Sequence, residues 1–132
     1  MHEIPVIRVE YIQDDPKGDR WRLLEDMTFQ TMLGPITAPA GYVTDFASTP
    51  KVIWSFIPPF GPYAAAAVLH DWWYEKRLGE ARFGPHLARK MADLQFYRDM
   101  RAADPEAKNR NRLMYNAVRL FGKSAWNGKP PL

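Results

Sequence analysis

The segment His70-Asp71-Trp72-Trp73-Tyr74 concentrates three side chains that can move or hold charge. At 100° per residue, His70 shares a helix face with Tyr63, Ala66, Ala67 and Tyr74, while Asp71 sits on its flank. Later in the chain, Asp93 lies on one face with His86, Phe96, Tyr97 and Met100. A carboxylate in that company needs a partner, because an unpaired buried charge is very costly. Two antiparallel helices joined by one loop make His70 that partner, with Tyr74 as a second donor. A carboxylate on one ring nitrogen fixes the imidazole tautomer and directs the other nitrogen to take a proton from water. Asp71 then remains to hold a hard cation through oxygen ligands. The same residues also read as a satisfied hydrogen bond that locks two helices, and both readings stand at this point.

A second cluster is Gly41-Tyr42-Val43-Thr44-Asp45-Phe46-Ala47-Ser48-Thr49-Pro50. Asp45 either closes an Asx-type turn with Ser48 or leaves a strand to join Asp71 as a second cation ligand. Other chemistries lack their residues. There is no Gly-x-Ser-x-Gly elbow, no phosphate-cradling Gly-rich loop and no Cys for a thiol nucleophile, a disulfide or a thiolate zinc site. His2 and His86 are the other two histidines, and neither sits as a further ligand for a metal phosphohydrolase.

The elements that must position these residues fall into two regimes. From Ile4 to about Asp45 the pattern is β-like: Ile4, Val6 and Val9 mark a first strand. The pair Glu25-Asp26 reads as a hairpin turn between Trp21/Leu23 and Met27/Phe29. Ile36 to Val43 is a further strand or pair, broken by Pro39 and Gly41. After Asp45 the chain turns helical. A short helix follows Thr49-Pro50, and a long one runs from Pro62 to about Lys76. Gly84-Pro85 opens another to about Ala103; with Leu87, Met91 and Leu94 opposite Asp93, it reads as buried on two sides. Asp104-Pro105-Glu106 reads as the start of the last long helix, with a stripe Leu113, Met114, Ala117, Val118, Leu120 and Phe121 and a stop at Gly122. The expected fold is α+β: one domain over 1–132, mainly β over 1–48, mainly α over 49–125, with a loose tail over 126–132.

A hydrophobic fraction of 46% supplies a real core and excludes a disordered chain. The longest apolar run, Tyr63 to Leu69, is too short for a membrane span, and no signal peptide is expected. The net charge of +3 is unevenly spread: residues 101–132 carry seven basic and two acidic side chains. Such a surface can meet phosphates of lipid or nucleic acid, or be a solvated helix face. The Trp residues form no stacking platform, so no specific nucleic-acid recognition is expected.

Pro39-Ala40-Gly41-Tyr42-Val43-Thr44-Asp45-Phe46-Ala47-Ser48-Thr49-Pro50, Leu69-His70-Asp71-Trp72-Trp73-Tyr74, Ala92-Asp93-Leu94-Gln95-Phe96 and Met114-Tyr115-Asn116-Ala117-Val118-Arg119 together resemble the pattern of a family of small phage and prophage proteins, known as a domain of unknown function. The resemblance covers most of residues 20–125 and implies a phage or prophage origin, but no activity. A narrower resemblance, over two helices, is to the secreted phospholipases A2, whose active helix carries His-Asp-x-x-Tyr. It implies His70 as the base that activates water, Asp71 as a calcium ligand, and Tyr74 with Asp93 as the supporting hydrogen-bond pair. Those enzymes also carry a Gly-rich calcium loop and disulfides. Here the connector before the helix offers only Gly61, so the Asp45 loop would have to replace the calcium loop.

The resulting expectations are three. One is an accessory hydrolase with catalytic His70, Asp93 and Tyr74, assisted by Ca2+ on Asp71 and Asp45, acting on an ester of lipid or envelope. The others are a tail-associated virion component, and a host-takeover protein that binds a bacterial partner. In each case the chain is synthesised in the host bacterial cytoplasm.

Overall fold

A computed structural model describes residues 5–12, 20–44 and 63–128. Ile4, the short helix after Thr49-Pro50, the Pro-rich connector before Tyr63 and the last four residues of the tail lie outside the described residues, as does Asp45; of the other two residues that marked the expected first strand, Val6 is exposed outside any strand and Val9 opens one.

The N-terminal part forms two small antiparallel sheets. Strand β1 (Val9–Ile12) pairs with β2 (Arg20–Leu23), which pairs on its other side with β5 (Val43–Thr44). Strands β3 (Met27–Thr31) and β4 (Gly34–Ala38) form the second sheet, with Phe29 opposite Ile36. Period-two alternation sends Trp21, Leu23, Met27, Phe29, Ile36 and Ala38 into the core, while Thr28 and Thr37 pair their hydroxyls outside at 2.8 Å. Glu25-Asp26 does not close a hairpin, because β2 and β3 belong to different sheets. The chain passes there from one sheet to the other, and Asp26 Oδ1 accepts the Ala40 N–H at 2.7 Å, pinning the later return.

Three long helices follow: α1 (Ala64–Lys76), α3 (Pro85–Ala103) and α4 (Lys108–Phe121), with single turns α2 (Glu80–Phe83) and α5 (Lys123–Trp126) between and after them. The architecture is therefore α+β, short antiparallel strands followed by helices. Helix α1 is the central element: its residues from Ala64 to Asp71 are all buried. Its four consecutive alanines take little volume and let neighbours come close. Arg77 ends it in the left-handed region (φ 49°), and its Nε donates to Trp126 O at 2.9 Å.

Helix α3 is buried along one side only. Leu87 and Leu94 are 45% and 38% exposed, so the apolar row opposite Asp93 faces outward, against the expectation of two-sided burial. Helix α4 behaves likewise. Asn111, Met114, Ala117 and Val118 are buried, whereas Leu113, Leu120 and Phe121 are exposed. Nor does Asp104 cap α4. It terminates α3, and α4 starts at Lys108 with no side-chain cap. The Asp104 carbonyl instead accepts from Asn111 Nδ2 at 3.0 Å, while Asn111 Oδ1 accepts from Tyr63 O–H at 2.7 Å. A fully buried amide thus ties the start of α1 to the corner between α3 and α4.

Because Ala66 has no exposed surface on the fully buried stretch of α1, Ala66→Leu is expected to cost about 1–3 kcal/mol by overpacking, read as a lower urea midpoint with an unchanged slope.

Candidate functional site

Every residue that contributes to the site is placed by a helix. His70 and Tyr74 are one turn apart on α1, Arg89 and Asp93 one turn apart on α3, and Arg119 lies in the last turn of α4. The Asp93 side chain has no exposed surface. Its Oδ1 meets His70 Nε2 at 2.7 Å and accepts the Tyr74 O–H at 2.6 Å. Its Oδ2 accepts from Arg119 Nη1 at 2.7 Å and from Arg89 Nη1 at 3.3 Å. The expected His70–Asp93–Tyr74 arrangement is therefore present, atom by atom, and the structure adds two guanidiniums to it.

Arg89 does more than pair. Its guanidinium also donates to Val118 O at 3.1 Å and Arg119 O at 3.2 Å, the carbonyls at the negative end of α4. It joins Asp93, the Tyr74 hydroxyl and the end of α4 into one network. Burial alone would raise the Asp93 carboxyl, but hydrogen bonds from His70, Tyr74 and Arg119 outweigh it and hold the group below its ordinary 3.8. Burial and the adjacent Asp93 charge push the Tyr74 phenol far above its ordinary range, so it stays a donor. The His70 ring is stacked obliquely between Tyr74 and Phe96, with centroids 4.3 and 4.6 Å away, and its side chain is fully buried.

Gly122 ends α4, as expected, without a left-handed backbone. Its φ is −74°, so backbone freedom is not what the position uses. The position uses space: a Cβ there would meet the Val118 carbonyl oxygen first, and would lie 2.6 Å from the Tyr74 hydroxyl and 3.1 Å from Arg89 Nη1. The chain continues straight into α5, whose Trp126 packs edge-on against Tyr74.

Asp71 points elsewhere. Its Oδ2 accepts the Thr44 hydroxyl, joining α1 to β5, and the residue is buried. Its expected partner Asp45 lies outside the described residues. Among the described residues no group of three or more His, Cys, Asp or Glu could hold a metal. Asp71 alone is far short of the six to eight oxygens that calcium takes.

Arg89 and Arg119 escaped the sequence reading. The first carried a usable signal, since a basic residue four positions before an acid on one helix meets it. The second carried none, because its partner is set by how α4 docks on α3.

A family model described as "Protein of unknown function (DUF1353)" matches residues 21–118, a span that takes in His70, Tyr74, Arg89 and Asp93. No curated protein and no solved structure matches the chain.

Two expectations follow from the network. Asp93→Asn leaves two guanidiniums facing a neutral amide and should cost about 3–5 kcal/mol, measured by urea unfolding at neutral pH. Asp93 is favoured as the anion in the folded state, so its contribution is complete above the ordinary 3.8 and is lost as pH falls below that value toward the lower folded one. Unfolding free energy plotted against pH should therefore drop on the acid side, and Asp93→Asn should flatten that drop. Gly122→Ala should separately cost about 1–3 kcal/mol by crowding the Val118 carbonyl, Tyr74 and Arg89, seen as a lower thermal midpoint.

Proposed function

The chain belongs to the DUF1353 family of proteins of unknown function, and we propose that it is a phage or prophage hydrolase in which His70 activates water against an ester of lipid or envelope. The observation that carries this reading is the pair of contacts on Asp93 Oδ1, from His70 Nε2 at 2.7 Å and from the Tyr74 hydroxyl at 2.6 Å. With its proton on Nε2, toward the carboxylate, the imidazole has its basic lone pair on Nδ1. Turnover requires His70 to exchange the further contact it makes in the closed core for a water; Nδ1 then takes a proton from that water as the oxygen attacks the ester carbonyl carbon. It returns that proton to the alkoxide as the carbon–oxygen bond breaks, giving one acid and one alcohol. Tyr74, Arg89 and Arg119 keep Asp93 from rotating away while the ring gains and loses charge. The proposed Ca2+ would be held by Asp71 and Asp45. Asp71 is the described donor of the two, and one of its oxygens is engaged by Thr44, so no step here is routed through a cation. The buried ring requires that water and the ester reach it through a local opening.

A second reading is favoured by a different observation. The His70 side chain has no exposed surface, and Asp93 shares its charge between two guanidiniums. In that reading the cluster is a lock between three helices in a non-catalytic virion component or a host-binding protein.

The two readings separate on His70→Asn, whose amide can still donate to Asp93. The assay is hydrolysis of phospholipid vesicles and of a soluble short-chain ester, with the thermal midpoint measured alongside. The hydrolase reading expects wild-type turnover and a loss of about 10²–10⁴-fold in the variant, with folding retained. Wild-type protein no faster than buffer, or a variant as active as wild type, overturns it in favour of the lock.

A further inference from the structure

Part of the positive charge on this molecule is neutralised by ion pairs. Arg89 and Arg119 are consumed by Asp93, Arg8 pairs with Glu25, and Arg22 pairs with Glu10. Arg98 and Arg101 near the end of α3, and Lys108 and Arg112 at the start of α4, form no ion pair among the described residues. These four instead line one cavity of about 690 Å³ at the corner between the two helices, with Tyr97 and Asn109. No acidic side chain lines it. Arg101 lies over the Tyr97 ring at 5.7 Å, and Tyr97 packs on Tyr115 at 5.3 Å, so the floor is aromatic and supported.

Four like charges around one concavity repel one another, an effect that solvent moderates because all four side chains are exposed. Ordinary basic helix faces avoid the problem by spreading charge outward or interleaving acids. Here the sequence does the reverse: the first turn of α4 contains no acid, although the positive end of a helix favours one. Of the acids nearest in the chain, Asp99 is buried and accepts from Gln95, and Asp104 and Glu106 sit in the connecting turn; none of the three is among the lining residues. An anion that concentrates several negative charges on one group would relieve that repulsion at all four side chains at once. Guanidinium forks match the oxygens of phosphate, and the Asn109 amide adds a neutral donor. The volume falls within the range of small-ligand sites.

We propose that this corner is a binding site for a phosphate group carried by a small ligand, either a soluble phosphate ester or a phospholipid headgroup. The site does not involve His70 or Asp93, so it stands or falls separately from the hydrolase reading.

The test uses the full chain and titrates glycerol 3-phosphate and inorganic phosphate by calorimetry and by backbone amide shifts. A second arm uses phosphatidylcholine vesicles with and without phosphatidylglycerol, and a third uses a single-stranded oligonucleotide. Saturable binding of the soluble phosphates, with shifts centred on Arg101 to Arg112, supports the site and a soluble source. Binding to phosphatidylglycerol vesicles alone supports the site and a lipid source. In either case the surface variant Arg101→Ala/Arg112→Ala, checked for an unchanged thermal midpoint, should weaken binding at least about tenfold, the size of one lost charge-assisted hydrogen bond. Binding to the oligonucleotide alone overturns the proposal, as does binding that the double variant leaves intact or no binding in any arm.

Discussion

One carboxylate organises the helical half of this protein. Asp93 has no exposed surface, and a buried carboxylate is tolerated only when its charge and its lone pairs are answered. The answer comes from three helices at once: a histidine and a tyrosine from α1, an arginine one turn away on α3 itself, and another from the end of α4. No pair of these helices can slide along its axis without lengthening one of those bonds. Apolar packing alone would not fix the register so tightly, since α1 is lined with alanines that offer little shape. The charge cluster supplies the specificity that the smooth helix lacks.

The pairing also explains details that look unrelated. Gly122 is required by space, because Tyr74 and Arg89 occupy the place where a side chain would start. Arg89 serves the carboxylate with one nitrogen and the end of α4 with both, so one side chain both neutralises a buried charge and satisfies terminal carbonyls. Cations that are not needed in the interior stand apart, at the corner between α3 and α4. Within the basic C-terminal third, Arg119 is structural, whereas Arg101, Lys108 and Arg112 are exposed at this corner.

Much of this was legible in the residues alone. His70, Tyr74 and Asp93 share faces at helical spacing, and burial logic then leaves few partners for the carboxylate. The bounds of α1 and α3 follow from Pro62, Gly84-Pro85 and the apolar pattern. Hairpin partners were less legible, because local turn chemistry at Glu25-Asp26 does not say which of two sheets the next strand joins. The exposed leucines were misread for a related reason: periodicity finds apolar rows but not what covers them, and Leu87, Leu94, Leu113 and Leu120 remain on the outside. Asp104 looked like a cap, yet its main-chain carbonyl is taken by Asn111, a tertiary contact that local propensity cannot anticipate.

The spacing within the cluster has a bearing on how the chain folds as it is made. Arg119 follows Asp93 by 26 residues, so a ribosome delivers the carboxylate well before its strongest guanidinium partner. A nascent chain holding α1 and α3 alone would have His70, Tyr74 and Arg89 around Asp93, with the end of α4 still inside the exit tunnel. Closure of the core around that carboxylate therefore waits for α4 to emerge, which completes it.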